Sequence, residues 1–416
     1  MPLHLRFNFL RSNFFLFLLI TEVSISGQRY RLPTSLLLPL LLVPLFFSQY
    51  KFQVSSMFRS ILVLLCAIYA IHYTLLFLIP YRFDVYESLM YSLPPFVLFI
   101  VLASSIDIIL NSYADSRFIF DIFNSSRAIL IFGIVSYPLG FLPFHPFVDA
   151  YSKFPRISGL VGEPSHMAVP LAVFLCYVLS FRQYRFQNIA IALIIFVFTF
   201  SPSTLLAFIF SCILFSLRFF CRSFIIPLFL RLKFQPPRLV LILMSFFILS
   251  IFLFYAFSSN IISEISSNIA TVLQTGRFID PRAAIYQNFV ASIDFSSYYL
   301  GFGFLSDVFV SNTFNSGRLI SFSSLTSLIL WFGNNLSLVI LFVVMILSLM
   351  FAIRFLTSSN LSSHSLFCYS STLSLLMISI WDFTFYYFFL YLVVFILASS
   401  KLSKIPASLA QVSLIK

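Results

Sequence analysis

Charged residues make up only 9% of this 416-residue chain, against about 25% in a soluble globular domain. That shortage excludes a water-facing surface over most of the molecule. The five cysteines (Cys66, Cys176, Cys212, Cys221 and Cys368) lie in or beside apolar segments with no CxxC spacing. They suggest neither a disulfide framework nor a zinc site and read as packing residues. No Asp-x-Asp occurs, and no His, Asp or Glu cluster has metal-ligand spacing. A metal-bound nucleotide-sugar mechanism therefore finds no support, and neither metal nor cofactor is expected. No internal repeat is visible, which argues against the inverted-repeat plan of many secondary transporters. The formal charge of +12 is scattered between apolar blocks, so nucleic acid is not an expected partner.

What the chain does have is 60% hydrophobic residues and a mean hydropathy of +1.02. These residues fall in repeated blocks of about 20, the length that crosses a bilayer core as a helix. The expectation is an all-α, polytopic integral membrane protein forming a single transmembrane domain over 1–416. Apolar runs bounded by charges, Pro or Gly predict 12 spans. They lie near 7–20, 35–50, 58–79, 88–110, 127–147, 165–181, 188–200, 202–220, 238–257, 324–355, 365–381 and 384–400. Many of the 58 Phe residues stand where Leu or Ile would be ordinary, which reads as coding bias rather than an aromatic binding function.

Lys and Arg accumulate in cytoplasmic loops. With both termini in the cytoplasm, only Arg29, Arg31, Arg82, Lys153, Arg156, Arg277, Arg282 and Arg318 fall outside, and the other 17 of the 25 basic residues fall inside. Arg6 and Arg11 flank the first apolar run, and Ser24-Ile25-Ser26 loosely resembles a signal-peptidase site; an uncleaved first helix serves equally well. Two long, less apolar connections then face outward, near 148–164 and 258–323. They hold five of the eight outer basic residues, against the topological bias, and long loops of this kind more often carry function than not.

Residues 156–168 read Arg-Ile-Ser-Gly-Leu-Val-Gly-Glu-Pro-Ser-His-Met-Ala. Gly159 and Gly162 loosen the backbone before Glu163, and Pro164 suits the first turn of a helix. Glu163 and His166, three residues apart, can face one cavity and share acid/base work; a carboxylate there also caps the helix dipole. Among other polar groups within apolar spans, His72 and Asp107 either mark a site or find partners between helices.

The Glu163-Pro164-Ser165 stretch resembles that of the bacterial O-antigen and capsular polysaccharide polymerases, the Wzy family. Three further regions resemble the family in order. They are the Ser-rich turn Phe200-Ser201-Pro202-Ser203-Thr204-Leu205-Leu206-Ala207, the loop pattern of Arg277, Tyr286 and Gly301-Phe302-Gly303, and the helix pair over 323–342. The resemblance covers about 150–355.

It implies a GT-C-like helical architecture with a large outer loop, and metal-independent glycosyl transfer at the outer face of the bacterial cytoplasmic (inner) membrane. Donor and acceptor would be undecaprenyl-pyrophosphate-linked oligosaccharides. Other expected partners are membrane lipid and a chain-length regulator. A pyrophosphate leaving group needs positive charge, which Lys153, Arg156, Arg277, Arg282 and Arg318 offer on the required side. Glu163 is then the first choice for the base and His166 the second. Two other readings stay open: an O-antigen ligase-type glycosyltransferase, and a flippase or exporter of the lipid-linked oligosaccharide.

Overall fold

The computed structural model describes residues 22–24, 31–33, 56–78, 84–111, 115–138, 148–149, 156–157, 159–161, 164–199, 201–225, 300–304, 306, 309–310, 324–358 and 361–381. Helix dominates these residues. In chain order the α-helices are α1 (Ser56–Leu78), α2 (Val85–Asn111), α3 (Asp115–Ser136), α4 (Ala168–Ser180), α5 (Phe186–Thr199), α6 (Pro202–Phe220), α7 (Ser324–Thr357) and α8 (Ser363–Trp381). Two short antiparallel hairpins accompany them: β1 (Glu22–Ser24) with β2 (Arg31–Pro33), and β3 (Val148–Asp149) with β4 (Arg156–Ile157).

Four stretches are long and apolar enough to cross a membrane: Val85–Ser105, Ile119–Ser136, Ser203–Phe224 and Leu336–Thr357. Shorter apolar helices run over Leu62–Leu78, Ala168–Ser180 and Phe186–Thr199. The expected spans 7–20, 35–50, 238–257 and 384–400 lie outside the described residues, as does most of the 258–323 loop. One expected span is displaced: α3 occupies Asp115–Ser136 instead of 127–147. Arg127, the first residue of the expected span, lies within the helix with its Nη2 donating to Gln187 Oε1 at 3.4 Å, and Asp121 is buried in the same helix. A helix accommodates a charge that packs against its neighbours, so a charge need not end it.

Local chemistry sets several boundaries. Asp84 starts α2 by accepting from the backbone N–H groups of Tyr86 and Glu87 at 2.9 and 3.1 Å, an N-cap. Ser362 does the same for α8 through the Ser365 N–H at 3.2 Å. At the centre is α4, in which every residue except Val169 and Leu179 is buried. It packs on α3, α6 and α8, with Phe123 of α3 stacked on Tyr177 at 4.0 Å between ring centres. A helix so enclosed meets protein on all sides, which is why its 13 residues suffice. In α7, by contrast, Leu338, Val339, Phe342, Val343 and Met350 are exposed, an apolar surface suited to lipid.

Short connections make successive helices antiparallel, so one end of the bundle gathers the start of α1, the end of α2, the start of α3, the α4–α5 turn and the α6 terminus. Arg218 Nη2 donates to Ser358 O at 3.0 Å and adds the end of α7 to that group. Arg59, Arg117, Arg127, Arg182, Arg185, Arg218, Arg222 and Arg354 all lie towards this basic end, whereas Arg31 and Arg156 lie at the other. At that other end β1 packs on the short turn Gly159–Val161.

Candidate functional site

The site is built where helices start irregularly at the end opposite the basic one. After β4, Gly159 adopts a left-handed backbone with φ 56°, a conformation that glycine enters without steric cost. A single 3₁₀ turn, Gly159–Val161, follows, and a second, Pro164–Met167, leads directly into α4. Gly133 of α3 makes room for this path. A Cβ at Gly159 would lie 3.0 Å from Gly133 Cα, and a Cβ at Gly133 would overlap Met167 Cε and approach Ile157 Cγ2 to 2.9 Å. Two glycines far apart in sequence thus let the chain press onto α3. His166 Nδ1 donates to Val161 O at 3.1 Å, so in the neutral ring Nε2 carries the lone pair.

The Pro164–Met167 turn packs against α6 and α5, and α6 starts at this same end of the bundle. The α6 start is the Ser201-Pro202-Ser203-Thr204 turn, with Ser201 at the N-cap and Pro202 in the first turn. Neither helix start has a side-chain cap: Met167 precedes α4, and Ser201 makes no cap hydrogen bond. Among the described residues, the Ser201 and Thr204 hydroxyls are both buried without a hydrogen-bond partner. Two of the motifs read from the sequence are therefore brought together, 35 residues apart along the chain by the difference between positions 166 and 201.

A third irregular element closes the same end. Helix α7 breaks at Gly333, where φ is 70° and ψ 178°. The break frees the Leu330 and Trp331 carbonyls, which accept from the Phe302 and Gly303 N–H groups at 2.7 and 3.1 Å. Gly301, with φ 73°, approaches so closely that a Cβ there would lie 2.5 Å from Gly333 N. His72 Nε2 of α1 donates to Leu300 O at 2.9 Å, and Ser88 Oγ of α2 donates to Phe302 O. Tyr69, Tyr73 and Ser92 extend this polar seam, with Tyr73 OH donating to Ser92 Oγ at 2.6 Å. Phe304 stacks on Phe332 with ring centres 5.3 Å apart. The Gly-x-Gly segment is thus clamped among α1, α2 and α7, and His72 is a hydrogen-bond donor between elements.

Of the expected site residues, His166 is described in full and stands at the convergence of the α4 and α6 starts. Arg156 is described in its backbone, in β4 opposite Asp149, on a strand that packs on α3 and α5. Glu163, Lys153, Arg277, Arg282 and Arg318 lie outside the described residues, as does Tyr286. Among the described residues no group of three or more His, Cys, Asp and Glu side chains has metal-holding geometry. Sequence reasoning missed the Gly133–Gly159 contact and the Tyr69–Ser92 seam. A glycine inside an apolar helix, as at Gly133, was the available signal for the first.

No protein-family model, no curated protein and no solved structure matches this chain.

Proposed function

We propose that this chain is a polysaccharide polymerase of the bacterial cytoplasmic membrane, with about 12 transmembrane helices and both termini in the cytoplasm. It transfers a glycan chain from undecaprenyl pyrophosphate to a lipid-linked repeat unit at the outer face. One observation carries this reading: the turn that follows Gly162 and Glu163 packs against α6, and both it and the start of α6 lie at the end remote from most described basic residues. Lys and Arg collect on the cytoplasmic side, which makes the basic end the inner one and the irregular end the outer one. Irregular backbone at membrane depth persists only where protein buries it or where it lines a cavity. Two adjacent breaks, both with polar side chains, fit the wall of a cavity.

The chemistry then needs two things. The acceptor sugar hydroxyl gives its proton to Glu163, or to His166 Nε2, as its oxygen bonds to the anomeric carbon of the donor. The bond from that carbon to the pyrophosphate oxygen breaks, and undecaprenyl pyrophosphate departs with the electron pair. Its charge is compensated by Lys153, Arg156, Arg277, Arg282 and Arg318.

Deletion of the gene is expected to leave surface polysaccharide at one repeat unit per lipid anchor. Chains of normal length in the deletion strain would refute the polymerase. Long polymer retained on the polyprenyl carrier would indicate a ligase instead, and repeat units trapped on the inner face an exporter.

A further inference from the structure

We infer that the α6–α7 junction at the basic end is a binding site for the headgroup phosphate of an anionic phospholipid. The inference stands apart from the polymerase reading, because it concerns the opposite end of the bundle and a bilayer lipid rather than the lipid-linked sugar. It begins with charge. Between Glu163 and Glu264, and again between Asp307 and Asp382, the chain contains no Asp or Glu. Helices α4 to α8 all fall within those two stretches. Their arginines therefore have no carboxylate on any of these five helices to pair with.

Arg218, in the last turn of α6, is the sharpest case. It is only 6% exposed. Its Nη2 bond to Ser358 O and its place over the Phe355 ring tie the end of α6 to the end of α7. Nη1 is buried and, among the described residues, has no hydrogen-bond partner. A buried arginine is ordinarily paired with an anion. The helices packed on α6 are α4, α5, α7 and α8, and none of them carries one.

Two further arginines open this junction to the surroundings. Helix α6 runs on into a π turn, Cys221–Ile225, which packs on α7. Arg222 in that turn is exposed, and it follows Arg218 by four residues, a spacing that sets both on one side, where like charges repel. Arg354, in the last turn of α7, is also exposed and lies over the Tyr369 ring with 5.8 Å to its centre. A phosphate reaching Arg222 and Arg354 from outside relieves that repulsion, and guanidinium forks match its oxygens. Phe219, Phe220 and Phe224 are exposed on the same stretch. They offer apolar surface to acyl chains, which favours a lipid over a soluble phosphate. Basic pockets between helices on the cytoplasmic side hold anionic headgroups in this way.

The test uses full-length protein in nanodiscs that contain phosphatidylcholine and phosphatidylglycerol, with the lipid retained by the protein counted by native mass spectrometry. The wild type is expected to retain phosphatidylglycerol in preference. The double variant Arg222→Gln, Arg354→Gln changes only exposed side chains. It should weaken that binding about tenfold or more, at about fivefold for each arginine near a membrane surface. Arg182→Gln with Arg185→Gln removes the same charge from exposed positions in the α4–α5 turn at the same end and should leave the binding nearly unchanged. Arg218→Met, read below its melting temperature, should weaken it as well. The proposal is overturned if the wild type retains both lipids alike, or if the two double variants lose binding equally, since a diffuse surface field would then suffice. It is also overturned if Arg218→Met binds like the wild type. Inorganic phosphate is the last probe: binding as tight as that of phosphatidylglycerol would make this a site for a soluble anion and overturn the lipid.

Discussion

At the basic end of the bundle, helices meet in regular turns, where some polar groups find protein partners and others, such as the Ser180 hydroxyl and Arg127 Nε, are buried without one. Arg218 donates to Ser358 O and lies over the Phe355 ring with 5.1 Å to its centre, although its Nη1 has no partner. Asn188 Nδ2 donates to Gln183 O at 3.0 Å, and Ser362 caps α8. At the opposite end, α4 and α6 begin without side-chain caps although Asp84 caps α2, the buried Ser201, Thr204 and Ser306 hydroxyls go unpaired, and α7 is broken at Gly333. Buried polar groups are paired in most native proteins, and both ends keep exceptions; the ends differ in backbone, which is broken at Gly159, Gly301 and Gly333 on one side only.

The largest expected effect breaks the contrast by removing the chemistry from the irregular end. Glu163→Gln and Arg277→Ala should each abolish polymer formation, a loss of about 100-fold or more in rate, with membrane expression retained; gel analysis of polysaccharide length reads it. Full-length polymer from both variants would show the site to be wrong. Next comes Gly301→Val. Its φ of 73° and the close approach to Gly333 N leave no place for a side chain, so about 3–5 kcal/mol of stability should be lost. Detergent melting followed by size-exclusion chromatography measures that loss, and the same substitution at a lipid-facing residue such as Leu338 should cost little.

Two smaller effects probe the basic end. Arg218→Met should cost about 1–2 kcal/mol in thermal melts, the sum of one hydrogen bond and one contact with an aromatic face. Polymer length should be unchanged. Arg182 is the one described non-glycine residue with positive φ, 54°, and it is exposed. Arg182→Gly should therefore raise stability by about 0.5–1 kcal/mol. A fall in melting temperature would mean that its side chain contributes more than the strained backbone costs.

How much of this was legible in the sequence differs by feature. Apolar runs located α1, α2, α5, α6 and α7 to within a few residues, because lipid and protein core both reward uninterrupted apolar length. Only α3 was misplaced by many residues, because the expected run starts at Arg127, a charge that is carried inside the helix. Glycine and proline marked the breaks at Pro164, Pro202 and Gly333, since they alter the backbone locally. Which break lies against which was not readable: the meeting of the α4 and α6 starts, the Gly133–Gly159 contact and the His72 bond to Leu300 O all depend on tertiary packing.

The most direct test of the account is reconstitution of the full-length protein in liposomes with undecaprenyl-pyrophosphate-linked repeat units, followed by separation of the products by length. The account predicts a ladder of polymer on undecaprenyl pyrophosphate from the wild type and unextended repeat units from Glu163→Gln. Unextended units from a folded wild-type protein, or the same ladder from both, would contradict it.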